Sequence, residues 1–268
     1  MPDLKIQTIK GENGNEVSFC AERGGMITSI KLQGSEILYF DEKTFLNIDE
    51  KVRGGVPILF PNAGALEKNN IYPNLERHGF ARDLKWEVET REDGFTETLL
   101  SNEKTREVYP YDFSFQNIGQ FEKDGSFTYK QIIENNEEEK DMPISMGLHP
   151  YFKIPNIQKG YIKFVFDGGK EIEDNIEVWN NGGTFYIDNP KLKDSEAYVK
   201  IEIPSLGILV LDVSIEYEKI WVWSMPGKDF ICIEPMMKGL NGLIDDPYYI
   251  KPKKVLNMSV NFKLILNY

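Results

Sequence analysis

The sequence predicts an all-β protein, a large antiparallel β-sandwich, and three observations carry that expectation. Apolar and polar residues alternate with a period of two in segment after segment, the pattern of half-buried strands. Clusters of Gly, Asn, Asp and Pro separate those segments, as turns do. No window of the 268 residues sustains a helical period.

In chain order, Gly11-Glu-Asn-Gly-Asn15 is a tight turn. Lys51-Val-Arg53-Gly-Gly55-Val-Pro-Ile-Leu-Phe60-Pro61 then places an arginine before a glycine pair, where backbone can approach a ligand closely, followed by an apolar run. The mixed-charge run Glu134 to Lys140 fits a solvated loop or hairpin end. In Tyr161-Ile-Lys-Phe-Val-Phe166 a strand puts Ile162, Phe164 and Phe166 on one face. Turns follow at Asp167-Gly-Gly169 and Asn180-Asn-Gly-Gly183, and a strand at Lys200-Ile-Glu-Ile203. After the turn Pro226-Gly-Lys-Asp229, the apolar run Phe230-Ile-Cys-Ile-Glu234-Pro-Met236 is expected to end at Glu234, because Pro235 cannot donate to a ladder. Alternation from Asn257 to Leu266 supplies a last strand.

All-β sandwiches of this length are routinely one unit, and no repeat, low-complexity tract or linker divides the chain. Residues 1–268 are therefore expected to form a single domain. With 41% hydrophobic and 28% charged residues, the composition is that of a soluble globular protein with a sizeable core. A formal net charge of -12 argues against sequence-independent nucleic-acid binding, which needs a basic face. One phosphate needs only two or three well-placed donors, so a small phosphorylated ligand stays open.

The longest apolar candidate for a membrane span, Leu206 to Val213, is broken by Gly207 and Asp212. Met1 to Lys10 carries Asp3, Lys5 and Lys10 and no apolar run of the signal-peptide kind. Two cysteines, Cys20 and Cys232, are too few for a disulfide framework or a four-cysteine zinc site. A cytoplasmic protein with reduced thiols is the expectation. Asn257-Met258-Ser259 matches the glycosylation pattern but falls inside an expected strand and is treated as chance.

Four segments hold residues that could do chemistry. The only histidines, His78 and His149, lie in Arg77-His78-Gly-Phe-Ala-Arg82 and Met146-Gly-Leu-His149-Pro-Tyr-Phe152, both rich in Gly, Pro and aromatics. Glu234 closes an apolar strand, and Arg53 precedes the glycine pair. Taken singly, each has an ordinary structural explanation: a satisfied histidine, a solvent-facing carboxylate, an arginine in an ion pair. Nucleophile-elbow, phosphate-loop and dinucleotide glycine motifs are all missing. A metal held by His78, His149 and Glu234 is conceivable, but the spacing is unlike common zinc motifs, and no metal is expected.

Taken together, Arg53-Gly-Gly-Val-Pro-Ile-Leu-Phe-Pro61, His78-Gly-Phe-Ala-Arg82, Gly147-Leu-His149-Pro-Tyr-Phe152 and Ile233-Glu234-Pro235 resemble, in order and rough spacing, the signature of aldose 1-epimerases. The first two resemble most the branch acting on hexose 6-phosphates. For the fold, the resemblance implies the galactose mutarotase-like supersandwich with its sugar site in an open cleft on one face. For the site, it implies Glu234 as the general base on the anomeric hydroxyl and His149 as the acid for the ring oxygen. His78 would orient or polarise the sugar, and Arg53 and Arg82 would hold a substrate phosphate. A sugar-binding aspartate is matched by Asp188 in Thr184-Phe-Tyr-Ile-Asp-Asn-Pro190, with Asp212 as fallback.

The implied partner is a small-molecule sugar or sugar phosphate, with no nucleic acid, membrane, cofactor or metal, and the chain is expected as a monomer or homodimer. A non-catalytic carbohydrate binder is the alternative, with Tyr151, Phe152 and Trp223 as stacking aromatics. Two departures from the family pattern stand out. Asn62-Ala-Gly-Ala65 and the polar stretch Glu67-Lys-Asn-Asn70 replace an aromatic and glycine-rich continuation, and Lys253 replaces a glycine after Ile250-Lys-Pro252.

Overall fold

A computed structural model describes residues 4–67 and 70–266, so Lys68 and Asn69 of the polar stretch lie outside the described residues. Among these, the strands pair into sheets of eight, six, four and two strands, with antiparallel ladders. No described helix exceeds six residues, and none is long and apolar enough to cross a membrane. The architecture is the expected all-β sandwich.

In the eight-stranded sheet the long strands Gly94–Leu100, Phe113–Phe121, Phe127–Asn135, Val255–Leu266 and Gly207–Val213 lie side by side. Strict alternation along Phe113–Phe121 turns Phe113, Phe115, Asn117, Gly119 and Phe121 inward. Opposite them, Phe19 of the four-stranded sheet stacks on Phe95 at 4.0 Å between ring centroids. Phe60 packs at 5.0 Å from Phe113 and from Phe115, and Phe152 at 6.3 Å from Phe262. Each such fully buried ring contributes roughly 1.5–3 kcal/mol. One apolar cluster joins the sheets.

The six-stranded sheet contains Phe185–Asp188, Lys219–Trp223, Phe230–Met236, Gly147–Leu148, Ile58–Leu59 and Tyr151–Lys153. Alternation sorts its residues by face. Ile231 and Ile233, with Ile220 and Val222, enter the main core. Cys232 packs instead with Tyr151 and Phe230, and Trp221 with Met236, in two small clusters outside that core. Glu234 shares the parity of Cys232 and Met236 and pairs in register with Trp221, so it lies on this second face.

Three expectations are corrected. The strand does not end at Glu234: Phe230–Met236 runs through Pro235, which faces Ile220. On the other edge, pairing is interrupted between Gly147↔Met236 and Tyr151↔Cys232, the stretch holding His149 and Pro150, and an interrupted edge tolerates a residue without an N–H. Within Tyr161 to Phe166 only Lys163–Phe164 is a strand, because Gly168 at φ 86° turns the chain into the helix Gly169–Asp174. The pair Gly54-Gly55 approaches the chain's own backbone: a Cβ on Gly55 would stand 2.2 Å from the Ile27 carbonyl oxygen. Lys253 keeps the glycine geometry it replaces, at φ 56°, with its N–H donating to the Asn135 carbonyl at 2.9 Å.

A polar row crosses the core face of the large sheet, where Glu97 pairs in register with Asn117 and Asn117 with Gln131. All three are fully buried. Neither Glu97 carboxyl oxygen has a hydrogen-bond partner among the described residues, and burial pushes that carboxyl up to about 8.

Candidate active site

His78 is held by backbone. Gly64 N–H donates to His78 Nδ1 at 2.9 Å, and His78 N–H returns a bond to the Gly64 carbonyl, also at 2.9 Å. The buried Asn62 amide donates to the same carbonyl at 3.0 Å. The divergent segment Asn62 to Ala65 is thus what sets the tautomer of this histidine, leaving its proton on Nε2. His78 itself adopts φ 69° and Gly79 φ 67°, left-handed backbone that a non-glycine residue holds only when its surroundings enforce it. A Cβ on Gly79 would stand 2.0 Å from the Phe60 carbonyl oxygen. Gly79→Ala is therefore expected to cost about 1–3 kcal/mol, read as a lower urea midpoint, and an unchanged midpoint would refute this account of the turn.

His149 sits in the interrupted edge opposite Glu234. Its Nε2 lies 3.4 Å from Glu234 Oε1. The imidazole stacks on Tyr151 at 4.8 Å and 12°, and meets Trp223 and His78 edge-on, each at 5.9 Å. Glu234 is 2% exposed, so its position on the second sheet face is a covered one.

These residues open onto a cavity of about 320 Å³, also lined by Lys51, Arg53, Arg77, Arg82, Trp221 and Trp223. Lys51 is neutralised by Asp83 at 2.7 Å and Glu76 at 3.4 Å. Arg82 makes only a long 3.9 Å contact to Asp83. Among the described residues, Arg53 and Arg77 have no carboxylate partner within ion-pair distance, and the Arg53 guanidinium stands 5.9 Å over the Trp223 ring. Both indole N–H groups are taken by backbone, Trp221 by the Lys238 carbonyl at 3.1 Å and Trp223 by that of Gly182 at 3.0 Å. Glu234 is the one carboxylate in this lining.

Burial dominates the protonation of the three central groups. It pushes the Glu234 carboxyl well above the carboxylate range, with the Arg77 charge opposing. It lowers His149 to about 3, aided by Arg82, Arg77 and Arg53, and lowers His78 to about 2, aided by His149 and the same cationic lining. Burial therefore favours the neutral form of both Glu234 and His149.

The cavity brings together Glu234, His149, His78, Arg53 and Arg82, but neither aspartate. Asp188 ends its strand in an ion pair with Lys219 and lines a separate depression with Asp167 and Lys193. Asp212 is on the eight-stranded sheet, paired with Lys191. Phe152 points the other way, into the core; of the aromatics in the lining, Tyr151 is stacked under His149 and Trp221 on Tyr186, both buried, and Trp223 is partly exposed. Arg77, Lys51 and Trp221 carried no expectation. Trp221 could have been found, since two tryptophans two residues apart on a strand share a face. The donor set nearest a metal site is His149, Cys232 and Glu234, within 4.8 Å of one another, with Cys232 in place of His78. Burial raises the Cys232 thiol well above its usual range.

A family model described as aldose 1-epimerase matches residues 5–180. Two curated relatives are named "Putative glucose-6-phosphate 1-epimerase". The one from Cenchrus ciliaris is 26% identical over 190 residues, 65% of this chain and 51% of that protein. The one from Escherichia coli (strain K12) is 27% identical over 146 residues, 52% of this chain and 46% of that protein. The chain thus spans about half the length of the curated relatives it matches. Among solved structures, the Slr1438 protein of Synechocystis sp. PCC 6803 superposes with a TM-score of 0.78 at 26% identity, covering 98% of this chain and 96% of that one. A galactose mutarotase related enzyme from Lactobacillus acidophilus gives 0.74 at 19% identity, covering 97% of each chain, a likeness of fold.

Proposed function

The chain belongs to the aldose 1-epimerase family, and from that premise we propose that it interconverts the α and β anomers of an aldohexose 6-phosphate. The observation that carries the phosphorylated substrate is the lining of the cavity: four cationic side chains and one carboxylate, on a molecule of formal net charge -12. Two of the four, Arg53 and Arg77, lack a carboxylate partner among the described residues. Guanidinium groups without a partner are free to fork onto phosphate oxygens.

Anomer exchange needs a group that takes a proton and one that gives it, in the same site. The proton shared by Glu234 and His149 can supply both. With it on His149, the Glu234 carboxylate takes the proton of the anomeric hydroxyl while the imidazolium protonates the ring oxygen. The bond from that oxygen to the anomeric carbon breaks, and the open-chain aldehyde forms. Glu234 is then the acid and His149 the neutral base, the form that burial favours. Rotation about the bond between the first two carbons and the reverse transfers close the ring as the other anomer. His78, with its proton on Nε2, donates to a sugar oxygen, and the face of Trp223 packs on the ring. Asp188 and Asp212 have no part in this scheme.

Exchange NMR on glucose 6-phosphate and free galactose tests it. Acceleration on the phosphate ester is expected, and Arg53→Ala and Arg82→Ala should each weaken that substrate by about 1.5–3 kcal/mol relative to the neutral sugar. Equal losses on both would defeat the phosphate assignment. Sugar binding without any acceleration would leave a carbohydrate binder.

A further inference from the structure

We propose that Arg77 is a specificity-determining arm: it rests over His78 and swings from it onto the anionic group of the substrate, freeing the His78 Nε2 proton for the sugar. This rests on the cavity being a sugar-phosphate site.

The starting observation is a contact that cannot be satisfied. Gly64 N–H donates into His78 Nδ1 at 2.9 Å, so the neutral ring carries its proton on Nε2. That same Nε2 stands 3.3 Å from Arg77 Nε, whose own N–H is directed at it. A guanidinium has no acceptor, and the imidazole has none left on that side, so donor faces donor. Protonating the ring makes the opposition worse. The shorter Gly64 bond sets the tautomer, and the Arg77 contact is the one that yields.

No other described residue hydrogen-bonds or ion-pairs with the guanidinium there. Among the described residues no carboxylate lies within ion-pair distance of Arg77. Its base is fixed, however, since the Arg77 carbonyl accepts a bond from Arg82 Nη2 at 3.0 Å. The side chain lines the same cavity as Arg53 and Arg82. An arm with an anchored base, an unfavourable resting contact and two guanidinium neighbours turns toward the first multivalent oxyanion to enter. A phosphorylated sugar therefore releases His78 as it binds, and a neutral sugar does not. The selectivity lies in the position of one guanidinium, through the histidine it covers.

With only two histidines in the chain, imidazole nitrogen NMR reads this directly. Wild type, Arg77→Gln and Arg77→Lys would be titrated with inorganic phosphate, with His78→Asn for assignment. The expected spectrum has the His78 proton on Nε2, moving with phosphate in wild type. In Arg77→Gln the resonance starts near the phosphate-bound position and hardly moves, and Arg77→Lys responds in part. Turnover should agree: Arg77→Gln raises KM for the hexose 6-phosphate about 10- to 100-fold, with a smaller change in kcat. A His78 proton on Nδ1, a wild-type resonance that ignores phosphate, or an equal response in Arg77→Gln would overturn the proposal. Because the titration needs no catalysis, a chain that exchanges no sugar anomers would sink the proposed function and still return a result on the arm.

Discussion

Glu234→Gln is expected to lower anomer exchange by about 10²- to 10⁴-fold while leaving the fold intact. Glutamine has nearly the same volume and fits the same covered position beside Trp221 and Cys232, but it can neither take nor return a proton. His149→Asn should produce a loss of the same order. The double variant should be scarcely worse than either single one, because the two groups act through one shared proton and such effects are not additive. Exchange NMR on the three proteins, with circular dichroism as the control for folding, decides it. A Glu234→Gln protein within a few-fold of wild type would remove this carboxyl from the chemistry.

Glu97→Gln is expected to show the second large effect, in stability. Glu97 is fully buried with no cationic partner among the described residues, and its carboxyl is raised to about 8 from the ordinary 4.5. Between those values the unfolded chain has released the proton and the folded chain still holds it. Folding stability therefore falls as pH rises through this window, by up to about 1.4 kcal/mol per pH unit from this one group, and levels off above it. The raised Glu234 carboxyl contributes in the same direction, and the depressed His78 and His149 oppose it below the ordinary histidine value of 6.5. The diagnostic is thus the difference between proteins: the advantage of Glu97→Gln over wild type should grow from about pH 4.5 to pH 8. Urea midpoints across that range test it, and a difference independent of pH would contradict a neutral buried carboxyl.

Strand periodicity made the sandwich legible, because a residue on a half-buried strand has only two faces to choose from. The same rule, carried one step further, would have separated Phe152 from Tyr151 and put Trp221 beside Trp223. Motif order was enough to gather His78, His149, Glu234, Arg53 and Arg82, residues far apart in the chain that share one cavity. What failed was local. Asp188 looked suitable in a weak motif, yet a lysine directly across the ladder claims it, and cross-strand partners cannot be read without register. Pro235 argued for a strand end, but an interruption on the neighbouring edge accommodates it. Gly64 was invisible as a determinant of His78 because it acts through its backbone, which leaves no trace in side-chain identity.

The lining of the cavity reverses the sign of the molecule around it, and so divides electrostatics by range. A dianion diffusing inward first meets the field of a formal -12 body and feels the unpaired guanidiniums only within the last Debye length, about 8 Å at physiological ionic strength. Salt then acts twice, with opposite signs: it removes the outer repulsion and softens the inner attraction. If the proposed sugar phosphate is the substrate, its capture is set by a well behind a barrier and should depend on ionic strength in a way that neutral sugars, which sense neither, escape.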